Sequence, residues 1–140
     1  MTIGLLIVTH NNIGTDLVGT ATAMLGVCPL STELLSVPQN CDPEMLLRKA
    51  RQLVATLDQG NGVLVLTDIY GSTPSNIANS LRSEGNVEVI AGINLPMLIR
   101  ILNYPHLSLA ELTAKAVSGG KDGILCCTAY PPQNYQSPQT

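Results

Sequence analysis

Three short stretches of this chain carry residues that could do chemistry together: Thr9-His10, Thr67-Asp68 and Gly71-Ser72-Thr73-Pro74. The first two end apolar runs, and the third follows Asp68 closely. A carboxylate beside an imidazole accepts a hydrogen bond from one ring nitrogen, fixes the tautomer, and leaves the other nitrogen as nucleophile or base. His10 and Asp68 would form such a pair if the runs they terminate were neighbouring strands. Gly71, Ser72 and Thr73 lead into a helix start, whose first N–H groups and dipole suit an anion. The pair supports group transfer or proton transfer, and the anion cradle favours the former, as phosphoryl transfer; no metal and no cofactor are expected. Singly, each feature has a plainer reading: a strand-end histidine in a turn, an aspartate capping that turn, an ordinary helix opening. Their convergence on one end of one sheet is what argues for chemistry. His106, in Tyr104-Pro105-His106, stands off any strand end and reads as a loop residue.

The elements that must position these groups alternate in type. Ile3 to Thr9, roughly Glu33 to Val37, Gly62 to Thr67 and Val87 to Ala91 are short aliphatic runs, the pattern of parallel strands covered on both faces. Asp42-Pro43-Glu44 reads as an N-cap, a first-position proline and first-turn acid, with Met45, Leu46, Leu47, Ala50, Leu53, Val54 and Leu57 following at helical spacing up to Gly60. Thr73-Pro74 opens a helix toward Leu81, Asn94-Leu95-Pro96 one toward Leu102, and Ser108 to Glu111 is a capping box opening another. Strand, turn and helix in repetition predict an α/β fold with a doubly wound, mostly parallel sheet, its functional groups at the carboxyl ends of the strands. Gly119-Gly120-Lys121-Asp122-Gly123 reads as a hinge before a fifth strand, Ile124 to Thr128. The domain is expected over residues 1–130, with a disordered Pro/Gln-rich tail over 131–140.

Composition narrows the functions. The 140 residues carry a formal charge of −3, no Phe, no Trp and four Tyr. There is no basic stripe for phosphate backbones and little aromatic surface for stacking bases, so no nucleic acid partner is expected. The apolar runs fall far short of the roughly 20 residues of a membrane helix, and no signal peptide opens the chain, which predicts a cytoplasmic protein without direct membrane insertion. Cys28, Cys41, Cys126 and Cys127 form no C-x-x-C pair and read as buried or idle thiols.

The strings "LIVTH", "VLVLTDIYGSTPSNIAN" and "VIAGINLPMLIRIL" together resemble the enzyme IIA component of the mannose family of bacterial sugar phosphotransferase systems, over about residues 3 to 125. The resemblance implies that His10 is the phosphorylated histidine, Asp68 its carboxylate partner and Thr73 the hydroxyl beside the phosphoryl group. It implies strand order 2-1-3-4, with a last antiparallel strand exchanged across a homodimer; Ile124 to Thr128 would be that strand. The chain departs from the family in having Asn11-Asn12 where glycine often follows the histidine, and Thr73 in place of a commoner serine.

The implied partners are the histidine-containing phosphocarrier protein as donor and a IIB protein as acceptor, in sugar uptake. Ile13, Ile69, Tyr70, Met97 and Leu98 leave strand ends or open helices and are expected to form the docking rim. Two other roles fit the same chemistry: a regulatory phosphoacceptor in an incomplete phosphotransferase system, and the phosphoryl-donor subunit of a dihydroxyacetone kinase.

Overall fold

The computed structural model describes residues 2–129, so the expected tail at 131–140 lies outside the described residues. Four strands, β1 (Gly4–His10), β2 (Ser31–Val37), β3 (Val63–Thr67) and β4 (Val87–Ala91), form one parallel sheet in the order β2-β1-β3-β4. Five α-helices accompany them: α1 (Ile13–Leu25), α2 (Pro43–Leu57), α3 (Thr73–Ser80), α4 (Leu95–Leu102) and α5 (Leu109–Asp122).

Side-chain alternation along the strands divides the core in two. Leu5 and Ile7 of β1, with Leu64 and Leu66 of β3, meet Ala21 of α1, Leu98 and Ile101 of α4, and Leu112 and Ala116 of α5. Leu6 and Val8, with Val63 and Val65, meet Ala50 and Val54 of α2 and Ile77 and Ala78 of α3. Both faces are therefore covered, as near-continuous aliphatic strands require. No helix among the described residues is long and apolar enough to cross a membrane.

The helix ends follow the local chemistry of their residues. Asp42 accepts from the Glu44 N–H ahead of Pro43, Asn94 accepts from the Met97 N–H, and Ser108 and Glu111 form the reciprocal capping box. The expected hinge is corrected at the C-terminal end. Gly119 and Gly120 are buried in the last turn of α5, where helix α4 comes so close that a Cβ on Gly119 would lie 2.6 Å from the Cβ of Arg100. These glycines permit close helix packing and are no hinge. Ile124 to Thr128 forms no strand in this chain: residues 124–126 are irregular and Cys127–Ala129 make a single 3-10 turn. No strand lies beyond the outer edge of β4 among the described residues, so that edge is left unpaired within the single chain.

Candidate active site

The sheet order creates the site. From β1 the chain crosses to β2 on one side and then to β3 on the other, so the switch point lies between the carboxyl ends of β1 and β3. The register pairs Val8 with Thr67, leaving His10 at the end of β1 and Asp68 one residue past β3 in the same crevice.

Asp68 grips His10 twice through one oxygen. Its Oδ2 accepts the backbone N–H of His10 at 2.9 Å and lies 2.8 Å from His10 Nδ1, while Oδ1 accepts the N–H of Ile69 at 2.9 Å. Burial pushes the carboxyl group up, but the hydrogen bonds from the His10 N–H, the His10 ring and the Ile69 N–H, together with the charge of His10, outweigh it and hold Asp68 below its ordinary value. Asp68 is thus ionised at neutral pH and can only accept, so Nδ1 carries the proton facing it. In the neutral ring Nε2, across from Nδ1, then keeps its lone pair. The His10 side chain is 42% exposed against 13% for Asp68, which places an oriented imidazole at the surface over a sheltered carboxylate.

The residue after His10 explains the departure at that position. Asn11 has φ +47°, the one described non-glycine residue with positive φ, and its N–H donates to the Val37 carbonyl at 3.2 Å. Asparagine is among the side chains that best tolerate this left-handed conformation, so it serves where glycine otherwise would.

Downstream of Asp68 the chain turns sharply into α3. Gly71 takes φ +86°, and its N–H donates to Ser75 Oγ at 3.3 Å. Ser72, the N-cap residue, donates its hydroxyl back to the Ile69 carbonyl at 2.7 Å and makes no side-chain cap bond. The amino end of α3 is therefore not capped by its own N-cap side chain. Thr73 is the exposed first residue of α3, bordering a cleft with Pro43, Glu44 and Leu47 of α2. The structure brings His10 and Asp68 into direct contact. It places Gly71, Ser72 and Thr73 in the turn that follows, without a hydrogen bond to that pair.

The family model for the PTS system fructose IIA component matches residues 4–117, which include both members of the pair. The chain belongs to this IIA family. It is 36% identical over 134 residues to the PTS system mannose-specific EIIAB component of Escherichia coli (strain K12), covering 94% of this chain and 41% of that protein. It therefore spans about two-fifths of that relative's length. It is also 30% identical over 89 residues to the PTS system fructose-specific EIIA component of Bacillus subtilis (strain 168), covering 62% of this chain and 61% of that one. The fold is that of the mannose/sorbose specific IIA subunit from Enterococcus faecalis, with a TM-score of 0.79 at 23% identity over 90% of this chain and 95% of the other.

Within this IIA chain the expected docking rim splits. Ile13, Ile69 and Tyr70 are 45%, 61% and 79% exposed around the crevice. Met97 and Leu98 are buried in the core beneath α4 and are not available for docking, a correction to the reading from sequence. Their place follows from α4 itself: Met97, Leu98, Ile101 and Leu102 share its buried face, in the core where α4 packs with α5 and α1. His106 lies in the turn before α5, beside Gly60 and Asn86, at the amino ends of β3 and β4 and away from His10.

Sequence reasoning gave no role to three buried hydroxyl residues around the site: Thr9, Thr67 and Ser75. Thr67 Oγ1 has no hydrogen-bond partner among the described residues. The available signal was a threonine closing each of two otherwise aliphatic runs, IVT and VLT.

Proposed function

We propose that this IIA chain is a phosphoryl relay that accepts a phosphoryl group on His10 from the histidine-containing phosphocarrier protein and passes it to a IIB protein in sugar uptake. The observation that carries the reading is the 2.8 Å contact between His10 Nδ1 and the ionised Asp68 carboxylate. It leaves Nε2 as the attacking atom. In the step itself the donor's N–P bond breaks as the Nε2–P bond forms, and the positive charge that develops on the His10 ring is stabilised by Asp68. Such loose transfer needs positioning and charge stabilisation more than covalent help. Thr73 and the uncapped first turn of α3 would receive the phosphoryl oxygens, and Ile13, Ile69 and Tyr70 would meet the donor.

The same reading includes a homodimer. Ile124 and Leu125 are 77% and 57% exposed just past α5, and the outer edge of β4 carries no strand among the described residues. Pairing of this segment with the β4 edge of a second copy would cover both.

Incubation of the full chain with enzyme I, the phosphocarrier protein and phosphoenolpyruvate, followed by intact mass measurement, tests the relay. One added phosphoryl group, lost on acid treatment, is the expected result; an unmodified chain rejects the proposal.

A further inference from the structure

The amino end of α1 is secured in an unusual way. Its N-cap residue, Asn12, has φ −101° and ψ 14° and makes no side-chain cap bond. The N–H of Gly14 instead donates to Thr9 Oγ1 at 2.9 Å, across the turn that contains His10. Thr9 is only 2% exposed, and Gly14 sits so close to β1 that an added Cβ would lie 2.6 Å from Ile7 Cγ2 and 3.1 Å from Thr9 Oγ1. The helix is thus seated on the side of β1 opposite His10, through the hydroxyl of the preceding residue.

We propose that Thr9 is a positioning residue for the phosphoryl acceptor, acting by tethering α1 to the end of β1. The turn from His10 to Asn12 is closed by three bonds: Thr9 Oγ1 to the Gly14 N–H, the Asn11 N–H to the Val37 carbonyl, and the His10 N–H to Asp68 Oδ2. Asn11 holds a left-handed conformation inside this loop. An isolated asparagine leaves that conformation easily, so the tether must over-determine it. Without the Thr9 acceptor the Gly14 N–H loses its partner and α1 is free to shift. The His10 backbone then moves relative to Asp68, and the ring loses its fixed tautomer. The hydroxyl touches neither the ring nor the place of the phosphoryl group; it acts through the backbone.

The kinetic part of this inference rests on His10 being the phosphoryl acceptor, so its test includes a readout that does not. Histidine-selective nitrogen NMR spectra of the full chain, recorded for wild type, Thr9→Val and Thr9→Ser, report the His10 tautomer directly, with exposed His106 as internal reference. With the ring in its neutral form, wild type and Thr9→Ser should show a protonated Nδ1 and an unprotonated Nε2. Thr9→Val should drift toward an averaged ring, with phosphorylation by the phosphocarrier slowed about tenfold in kcat at unchanged KM, as expected for a misplaced reactive group. A Thr9→Val ring identical to wild type overturns the proposal, as does equal loss in the Ser and Val variants. If Thr9→Val gives no folded amide spectrum, Thr9→Ala takes its place under the same criteria. A wild-type chain with a fixed His10 tautomer, lost in Thr9→Val, supports the positioning role even if it takes no phosphoryl group; the relay reading alone would then fall.

Discussion

Asp68 binds His10 at both its backbone and its ring with a single carboxylate oxygen, at 2.9 and 2.8 Å. The ring orientation is therefore referenced to the strand end that carries it, so the imidazole is set in place by the fold itself.

This arrangement separates the two histidines. His10→Ala should abolish acid-labile labelling from the phosphocarrier while leaving the far-ultraviolet dichroism unchanged, because the side chain belongs to neither apolar cluster. His106→Ala should label at the wild-type rate. Radiolabel transfer to each variant decides both points.

Replacing Asp68 with Asn keeps the size and removes the charge. The amide can also present its NH2 group to Nδ1 and select the wrong tautomer. Phosphorylation of Asp68→Asn should slow by roughly two to four orders of magnitude, by analogy with the loss of an orienting carboxylate beside an activating imidazole. Rapid-quench measurement of single-turnover transfer gives the ratio.

The same pair makes a definite contribution to acid stability. Asp68 has a folded value below its ordinary 3.8, so ionised Asp68 stabilises the native state above 3.8, and that stabilisation is lost as pH falls through the lower folded value. The difference in unfolding free energy between wild type and Asp68→Asn should shrink as pH falls through the carboxyl range. Urea unfolding at a series of acidic pH values measures this; a difference that grows toward low pH would contradict the sign.

Asn11 offers a backbone test. At φ +47° a β-branched side chain is strained, so Asn11→Val should destabilise the chain by about 1–2 kcal/mol, whereas Asn11→Gly should fold normally. Thermal unfolding of the two variants is the comparison.

Close approach of α4 and α5 gives the last expectation. Gly119→Ala places a methyl 2.6 Å from Arg100 Cβ, and overpacking of this kind costs about 1–3 kcal/mol. A true hinge glycine would accept alanine with little change, so denaturant midpoints distinguish packing from flexibility.

What could be read along the chain was local in its physics. The caps at Asp42, Asn94 and Ser108 depend on side chains reaching N–H groups two or three residues away, and the structure has each of them. The aliphatic runs announced strands covered on both faces, and the polar residues ending them marked the crevice end of the sheet. His10 and Asp68, 58 residues apart, could be paired only on the supposition that their strands adjoin; the sheet order makes them neighbours. Other features depended on what lies across space. Met97 and Leu98 follow the strand-end segment as an apolar pair that could face outward or inward, and only the packing of α4 against α5 and α1 buried them. Gly119 and Gly120 look flexible in sequence, yet the nearness of Arg100 and Met97 makes them contact surfaces. Thr9 looked like one more strand residue until α1 came down upon it. Periodicity and capping are encoded within a few neighbouring residues. The choice between a partner and solvent at a given side chain is made by the distant element that packs there, and so belongs to the tertiary structure.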